Sequence, residues 1–201
     1  MKRALDLALA CSGLLFCAPI MLAITLVQKL SSPGPLLYRG SRVGKNGRRF
    51  SILKFRTMVV NAEKIGGSST SDSDPRITSM GRFLRRWKLD ELPQLWNVIT
   101  GDMSLVGPRP QVEHDVAQYS EDEKKILTVR PGITDWSSIK FRNEGAILAK
   151  YPDPDQAYIE QIRPEKIRLQ MLYIREMSFL GDLEILWATI VALFGAEVKL
   201  P

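Results

Sequence analysis

The stretch RRWKLDELPQLWNVITGDMSLVGPRP, residues 85–110, sets two adjacent carboxylates, Asp90 and Glu91, at a proline-marked helix start with arginines on both sides. Asp90 is a residue type that caps helices, and Pro93 is tolerated in a first helical turn. Leu92, Leu95, Trp96 and Ile99 then follow the i, i+3, i+4, i+7 pattern, and Gly101 is placed to end the helix. Beyond it, LVGPRPQ is a rigid, proline-flanked loop carrying Arg109, and RPGIT at 130–134 is a second such turn. A capping aspartate with a first-turn glutamate is the plain structural reading of the pair. The arginines in Pro- and Gly-constrained motifs around it favour another: metal-assisted chemistry on phosphate.

Working upstream, ITSMGRFLRRWK reads as a helix with Phe83, Leu84 and Trp87 as its apolar stripe and Arg82, Arg85 and Arg86 on the other side. GGSSTSDSDPR at 66–76 is a loop by composition. Asn46-Gly47 signals a hairpin between residues 36–43 and 50–58. The two-residue period puts Ile52, Lys54, Arg56 and Met58 on one face of the second strand, with Leu53 and Phe55 opposite. Downstream, helices are expected near 155–162, 164–177 and 180–194. The last, LEILWATIVALF, is apolar nearly all round yet too short to span a bilayer, so it belongs in the core or in a membrane interface.

The first 30 residues form a separate apolar segment with cations at both ends. A helix over 4–27 would run ~36 Å, enough to cross a bilayer. Asp6 spoils the uninterrupted apolar run of a secretory signal. A single transmembrane helix and a re-entrant helix bent at Pro19 both remain. Lys2 and Arg3 before the segment, with Lys29 and Arg39 after it, make both flanks positive, as a re-entrant helix would require. Membrane attachment is common to both readings.

Composition narrows the chemistry. The 201 residues suit one main domain, 45% hydrophobic content is enough for a core, and the formal net charge of +6 favours polyanions or an anionic membrane surface. A mean hydropathy of −0.08 is high for so charged a chain, so the apolar residues are concentrated. The 2 cysteines, Cys11 and Cys17, lie in the apolar segment and offer neither a disulfide framework nor a cysteine zinc site. Any histidine-based triad or zinc site would rest on the 1 histidine, His114, whose EHD setting reads as a solvated helix face. Carboxylates are left as the acids, bases or nucleophiles. No interleaving of aromatics with the basic motifs suggests nucleic-acid binding.

KFRTM, LDELPQLWNV, GDMSLVGPRP and RPGIT, in this order, resemble the signature segments of the bacterial sugar transferase family, the small monotopic phosphoglycosyl transferases that act on polyprenol phosphate. The resemblance implies an α+β fold in two parts. Residues 1–30 would be a re-entrant helix-break-helix membrane anchor; 31–201 would be a mostly helical catalytic domain with a small β-hairpin and interfacial amphipathic helices.

It also implies a reaction: transfer of a sugar 1-phosphate from a UDP-sugar to undecaprenyl phosphate, with Mg²⁺, at the cytoplasmic face of the bacterial inner membrane. Asp90 would be the nucleophile and touch the metal, and Glu91 would orient groups or move a proton in the second step. Lys54, Arg85, Arg109 and Arg142 match family phosphate or nucleotide positions. Arg56 and Arg130 lie in the same motifs as further candidates, and Pro19 marks the membrane break. Asp182 matches a recurrent acidic position without an assigned role. Membrane phospholipid is an expected partner, nucleic acid is not, and a homodimer is compatible. A hydrolase of a nucleotide sugar or lipid phosphate shares the same metal–carboxylate logic, and a non-enzymatic basic membrane protein would share the charge and the anchor.

Two departures stand out. The family's Ser-Pro break is Ala18-Pro19 here, which keeps the proline but lacks the serine hydroxyl. In the 132–142 loop, Asp135 stands for a family glycine, Ser137-Ser138 falls near the family glutamine, and Phe141 replaces the glycine before Arg142. These leave the phosphate motifs intact and the sugar donor open.

Overall fold

In the computed structural model, which describes residues 1–67 and 69–201, the apolar segment is one long helix, α1 (Lys2–Ser31). Pro19 lies inside it: the proline removes one i→i−4 hydrogen bond, but the turns on either side keep theirs, so the two expected arms are joined in one continuous helix. Only 11% of its most apolar 18-residue window is buried, with Leu15, Phe16 and Leu22 exposed, which is not how a soluble core helix sits.

Both ends of α1 rest on the same body. At the start, Asp6 accepts hydrogen bonds from the Leu105 N–H (3.1 Å) and the Ser104 hydroxyl (2.8 Å), and Lys2 Nζ donates to the Val106 carbonyl (2.9 Å) and to Asp182 (2.6 Å). At the far end, Ile24 packs with Phe55 and Leu84, and the Gln28 amide donates to the Arg56 carbonyl.

A hairpin follows, β1 (Leu37–Val43) against β2 (Arg49–Phe55), antiparallel from Leu37↔Phe55 to Val43↔Arg49. Its turn has the positive φ angles that Asn46-Gly47 signals, 56° and 76°. The second strand stops at Phe55, short of the expected 50–58. Arg56 is therefore not on the Lys54 face.

Helix α2 (Ser79–Arg86) is capped by the Thr78 hydroxyl, which accepts from the Gly81 N–H. Of its expected apolar stripe only Leu84 is buried; Phe83 and Trp87 are about half exposed, and Arg85 turns inward instead. A tight turn (Leu89–Glu91) leads to α3 (Gln94–Thr100), which ends at Gly101 in the left-handed region (φ 91°) as its sequence predicts.

Short strand β3 (Ser104–Val106) pairs in parallel with β4 (Gly132–Thr134). The β3 edge away from β4 has no neighbouring strand, and Asp6 and Lys2 of α1 take up its Leu105 N–H and Val106 carbonyl instead. Between these strands lies α4 (Glu113–Val116), a turn of helix with no buried residue in which the exposed His114 hydrogen-bonds to Gln118, in line with the solvated-face reading.

The chain closes with α5 (Trp136–Lys140), α6 (Glu144–Leu148), α7 (Pro154–Ala157), a π-helical turn (Tyr158–Ile162), α8 (Arg163–Glu176) and α9 (Phe179–Leu193). The main core joins Ala10 of α1, Ile52, Val98, Val106, Leu169 and Ile185. Helix α9 is two-sided: Ile185, Ala188 and Ala192 face the core, while Leu180, Trp187 and, just past its end, Phe194 are exposed.

Candidate active site

Three local devices bring the signature motifs together. First, Gly81 lets α2 lie on the backbone of β2's extension: a Cβ there would fall 1.9 Å from the Thr57 carbonyl oxygen. One turn further on, Arg85 Nε donates to the Thr57 hydroxyl at 2.9 Å. Second, Asn97 of α3 bridges to β2, accepting from the Leu53 N–H and donating to the Ser51 carbonyl, both at 2.9 Å. This sets the turn before α3 beside Lys54. Third, the two proline-flanked loops pack back to back through their glycines, since a Cβ on Gly132 would lie 2.2 Å from Gly107 N. That contact fixes the loop presenting Arg109.

Glu91 is where these devices converge. Its Oε1 receives Lys54 Nζ at 2.9 Å and Arg109 NH2, and its Oε2 receives Arg109 NH1 at 3.2 Å. Burial would raise the Glu91 pKa, but Arg109 and then Lys54 outweigh it and hold the carboxyl well below its ordinary range. Glu91 is thus a fixed anion, and its charge in turn raises the Arg109 guanidinium.

Asp90 is in the opposite condition. It is 6% exposed, and its Oδ1 is buried with no hydrogen-bond partner among the described residues. Burial first, and the Glu91 charge second, raise its pKa, against the pull of Lys54, Lys88 and Arg85. It caps no helix: neither the tight turn nor α3 has a side-chain cap bond, so the plain structural reading of the pair fails for Asp90.

Lys88 was missed in the sequence. It sits in the left-handed region (φ 55°), immediately before the turn that carries the dyad. Such backbone strain in a non-glycine residue clusters at functional sites. Burial pushes both the Lys88 and Lys54 ammonium groups down, with Glu91 opposing. The only sequence signal was its adjacency to LDE.

The structure gathers Lys54, Arg85, Lys88 and Arg109 around Asp90 and Glu91, and it spends Arg56 and Arg130 on other contacts. Arg56 is buried and donates to the Ser32 and Pro33 carbonyls (3.0 and 2.8 Å), tying the end of α1 to β2. Arg130 is exposed and donates to the Gly101 carbonyl at 2.9 Å. Arg142 follows α5 with its Nε buried and unpartnered among the described residues. Asp182 is taken by Lys2 and by the Tyr173 hydroxyl (2.9 Å) and serves the docking of α1.

Four cations around two carboxylates leave the cluster net positive, as a diphosphate requires. Among the described residues no group of three acidic, histidine or cysteine side chains could cage a metal. The free Asp90 oxygen suits the way Mg²⁺ is usually held, by one or two carboxylates together with substrate phosphates and water.

The chain belongs to the bacterial sugar transferase family, whose pattern matches residues 1–196. It is 38% identical over 194 residues to the UDP-glucose:undecaprenyl-phosphate glucose-1-phosphate transferase of Escherichia coli (strain K12), covering 94% of this chain and 39% of that protein. It is 36% identical to the UDP-N-acetylgalactosamine-undecaprenyl-phosphate N-acetylgalactosaminephosphotransferase of Aeromonas hydrophila, over 98% of this chain and 45% of the relative. The exopolysaccharide production protein ExoY of Sinorhizobium fredii (strain NBRC 101917 / NGR234) is 33% identical, over 95% of this chain and 84% of its own length. The chain therefore spans less than half of the first two relatives and most of the third.

Proposed function

We propose that the protein transfers a sugar 1-phosphate from a UDP-sugar to undecaprenyl phosphate at the cytoplasmic face of the bacterial inner membrane. The observation that carries this reading is the contrast inside the dyad: a buried Asp90 with a free oxygen beside a Glu91 whose oxygens are both held by cations.

In the first step an Asp90 oxygen attacks the β-phosphorus. The bond from that phosphorus to the bridging oxygen breaks, UMP leaves with the bonding pair, and a phosphosugar–aspartate acyl phosphate forms. Lys54, Lys88, Arg85 and Arg109 neutralise the phosphate oxygens so that an anionic carboxylate can approach. In the second step an oxygen of the lipid phosphate attacks the same phosphorus and restores the Asp90 carboxylate. Glu91, ionised throughout, keeps Arg109 and Lys54 aimed. Mg²⁺, held by Asp90 and the diphosphate, would add Lewis-acid charge neutralisation.

The anchor reading follows from α1. Both of its ends are fastened to one body while Leu15, Phe16 and Leu22 are exposed, which supports a helix seated in the membrane with both ends on the same side. The middle of α1 meets the helix that follows the dyad: Gly13 lies against Leu95, a Cβ there being 3.3 Å from Leu95 Cδ1. A lipid phosphate at the membrane surface would thus arrive beside the dyad.

The test mixes purified protein, Mg²⁺ and a panel of UDP-sugars without lipid, following UMP release and intact protein mass. A burst near one UMP per enzyme, with a sugar-phosphate adduct absent in Asp90→Asn, is the expected result. Steady UMP release without any acceptor would make the protein a hydrolase instead.

A further inference from the structure

Behind the Arg109 loop lies a second recess that the phosphate chemistry does not use. Gln170 of α8 lines it and is fully buried, yet both its Nε2 and Oε1 lack a partner among the described residues. Its place is fixed by its neighbours one turn away on α8. Tyr173 touches the Val106 carbonyl just before the Arg109 loop, and Lys166 is bridged to Glu144 at 2.5 Å. Gln111, two residues past Arg109, completes the connection: with Tyr119 it lines both this recess and the adjoining one that Arg109 lines.

Much of the charge lining the recess is already paired. Lys166 is neutralised by Glu144 and lies over the Tyr158 ring, 4.8 Å from its centroid, and Arg163 lies 3.5 Å from Glu123. Burial pushes the Asp115 carboxyl up, toward its neutral form. The lining groups without partners among the described residues are the Gln170 amide and Arg163 Nε, and they call for a ligand offering a donor and an acceptor side by side with a further acceptor near.

We propose that this recess takes the uracil base of the nucleotide donor, with the Gln170 amide pairing to the N3–H and C4 carbonyl edge and Tyr158 supplying the flat face. The inference rests on the transferase reading above. An amide presents one acceptor and two donors and matches such an edge with two hydrogen bonds, as it does when it reads a base in DNA. Aromatic rings stack on bases where sugar hydroxyls gain little from them. Tyr158 opens the π-helical turn Tyr158–Ile162, a distortion frequent at functional sites. With no base present the free space is only about 10 Å³, roughly that of one water, so entry of the base requires the side chains lining the recess to move, Lys166 off the Tyr158 face among them.

The experiment uses the full chain in detergent or nanodiscs and UMP as the probe. Gln170→Leu removes an amide with no partner in the protein, so its melting temperature should hold or rise. Its affinity for UMP should fall at least tenfold, with the donor KM raised equally for every UDP-sugar the wild type uses and kcat within twofold. As a measurement on the wild type alone, photolysis with 5-iodo-UMP should place the adduct on Tyr158 or Tyr119. UMP affinity unchanged in a folded Gln170→Leu, an adduct found only elsewhere, or a penalty that varies with the sugar would overturn the base assignment and leave the transferase standing. A wild type that neither binds UMP nor releases it from any donor would remove both.

Discussion

Two of the regions that bury carboxylates in this molecule bury them differently. At the base of α1, Asp6 and Asp182 have both oxygens occupied: Asp6 by the Leu105 N–H and the Ser104 hydroxyl, Asp182 by Lys2 and the Tyr173 hydroxyl. At the dyad, Glu91 is equally well held, but Asp90 keeps one buried oxygen without a partner. A buried acid whose hydrogen bonds are complete maintains a fold. One whose bonds are incomplete carries a cost in the resting protein, and a ligand that supplies the missing contact removes that cost. The comparison therefore separates acids that hold the fold from the one proposed to react, without reference to motif.

The largest effect that could break this contrast is expected at Asp90. Asp90→Asn should cut UMP release at least a thousandfold, ~4 kcal/mol of barrier, while thermal unfolding shows no loss of stability. A loss of less than tenfold would remove Asp90 as the nucleophile. Asp6→Ala should do the reverse. It strands the Leu105 N–H and the Ser104 hydroxyl, so stability should fall by about 2 kcal/mol in denaturant unfolding, with turnover per folded molecule within threefold. If the folded fraction is inactive, the two regions are not separable.

Arg109→Lys sharpens the dyad itself. A lysine cannot make both contacts to Glu91, and kcat/KM should drop about tenfold, ~1.4 kcal/mol; unchanged kinetics would take Arg109 out of the site. The smallest effect expected is on pH. Asp90 must be ionised to attack, and its raised pKa puts the acid limb of kcat/KM above the ordinary aspartate range. Glu91→Gln removes the neighbouring anion, so the limb should move down. For stability the sign is opposite: a raised carboxyl pKa favours the protonated folded form, so Asp90 destabilises at neutral pH and that cost is relieved as pH falls. A limb that stays put in Glu91→Gln would show that burial alone sets the Asp90 pKa.

The local elements were legible where one residue fixes one backbone feature. Asn46-Gly47 forecast the positive φ pair, and Gly101 forecast the end of α3. The errors lie where burial decides. Alternation placed Arg56 with Lys54, but the strand ends at Phe55, and Arg56 is spent on the Ser32–Pro33 turn. Helical spacing put Phe83 and Trp87 inward, yet Leu84 and Arg85 hold the packed side. Arg130 shared the rigid-turn signature of Arg109 and faces Gly101 instead. Periodicity states which residues share a face, and it does not state what that face meets.

The sequence by itself determined that this chain has an apolar N-terminal helix, a basic remainder and a carboxylate pair among phosphate-type motifs. These follow from composition, spacing and residue chemistry, which are local. Only the tertiary structure decided that both ends of α1 fasten to one body, that Lys88 joins the site, and that Glu91 is held while Asp90 is not. Those are relations among residues 18 to 180 positions apart in the chain, such as Glu91 with Arg109 and Lys2 with Asp182. They depend on which groups lose water together on folding, and no pattern of local spacing contains that information.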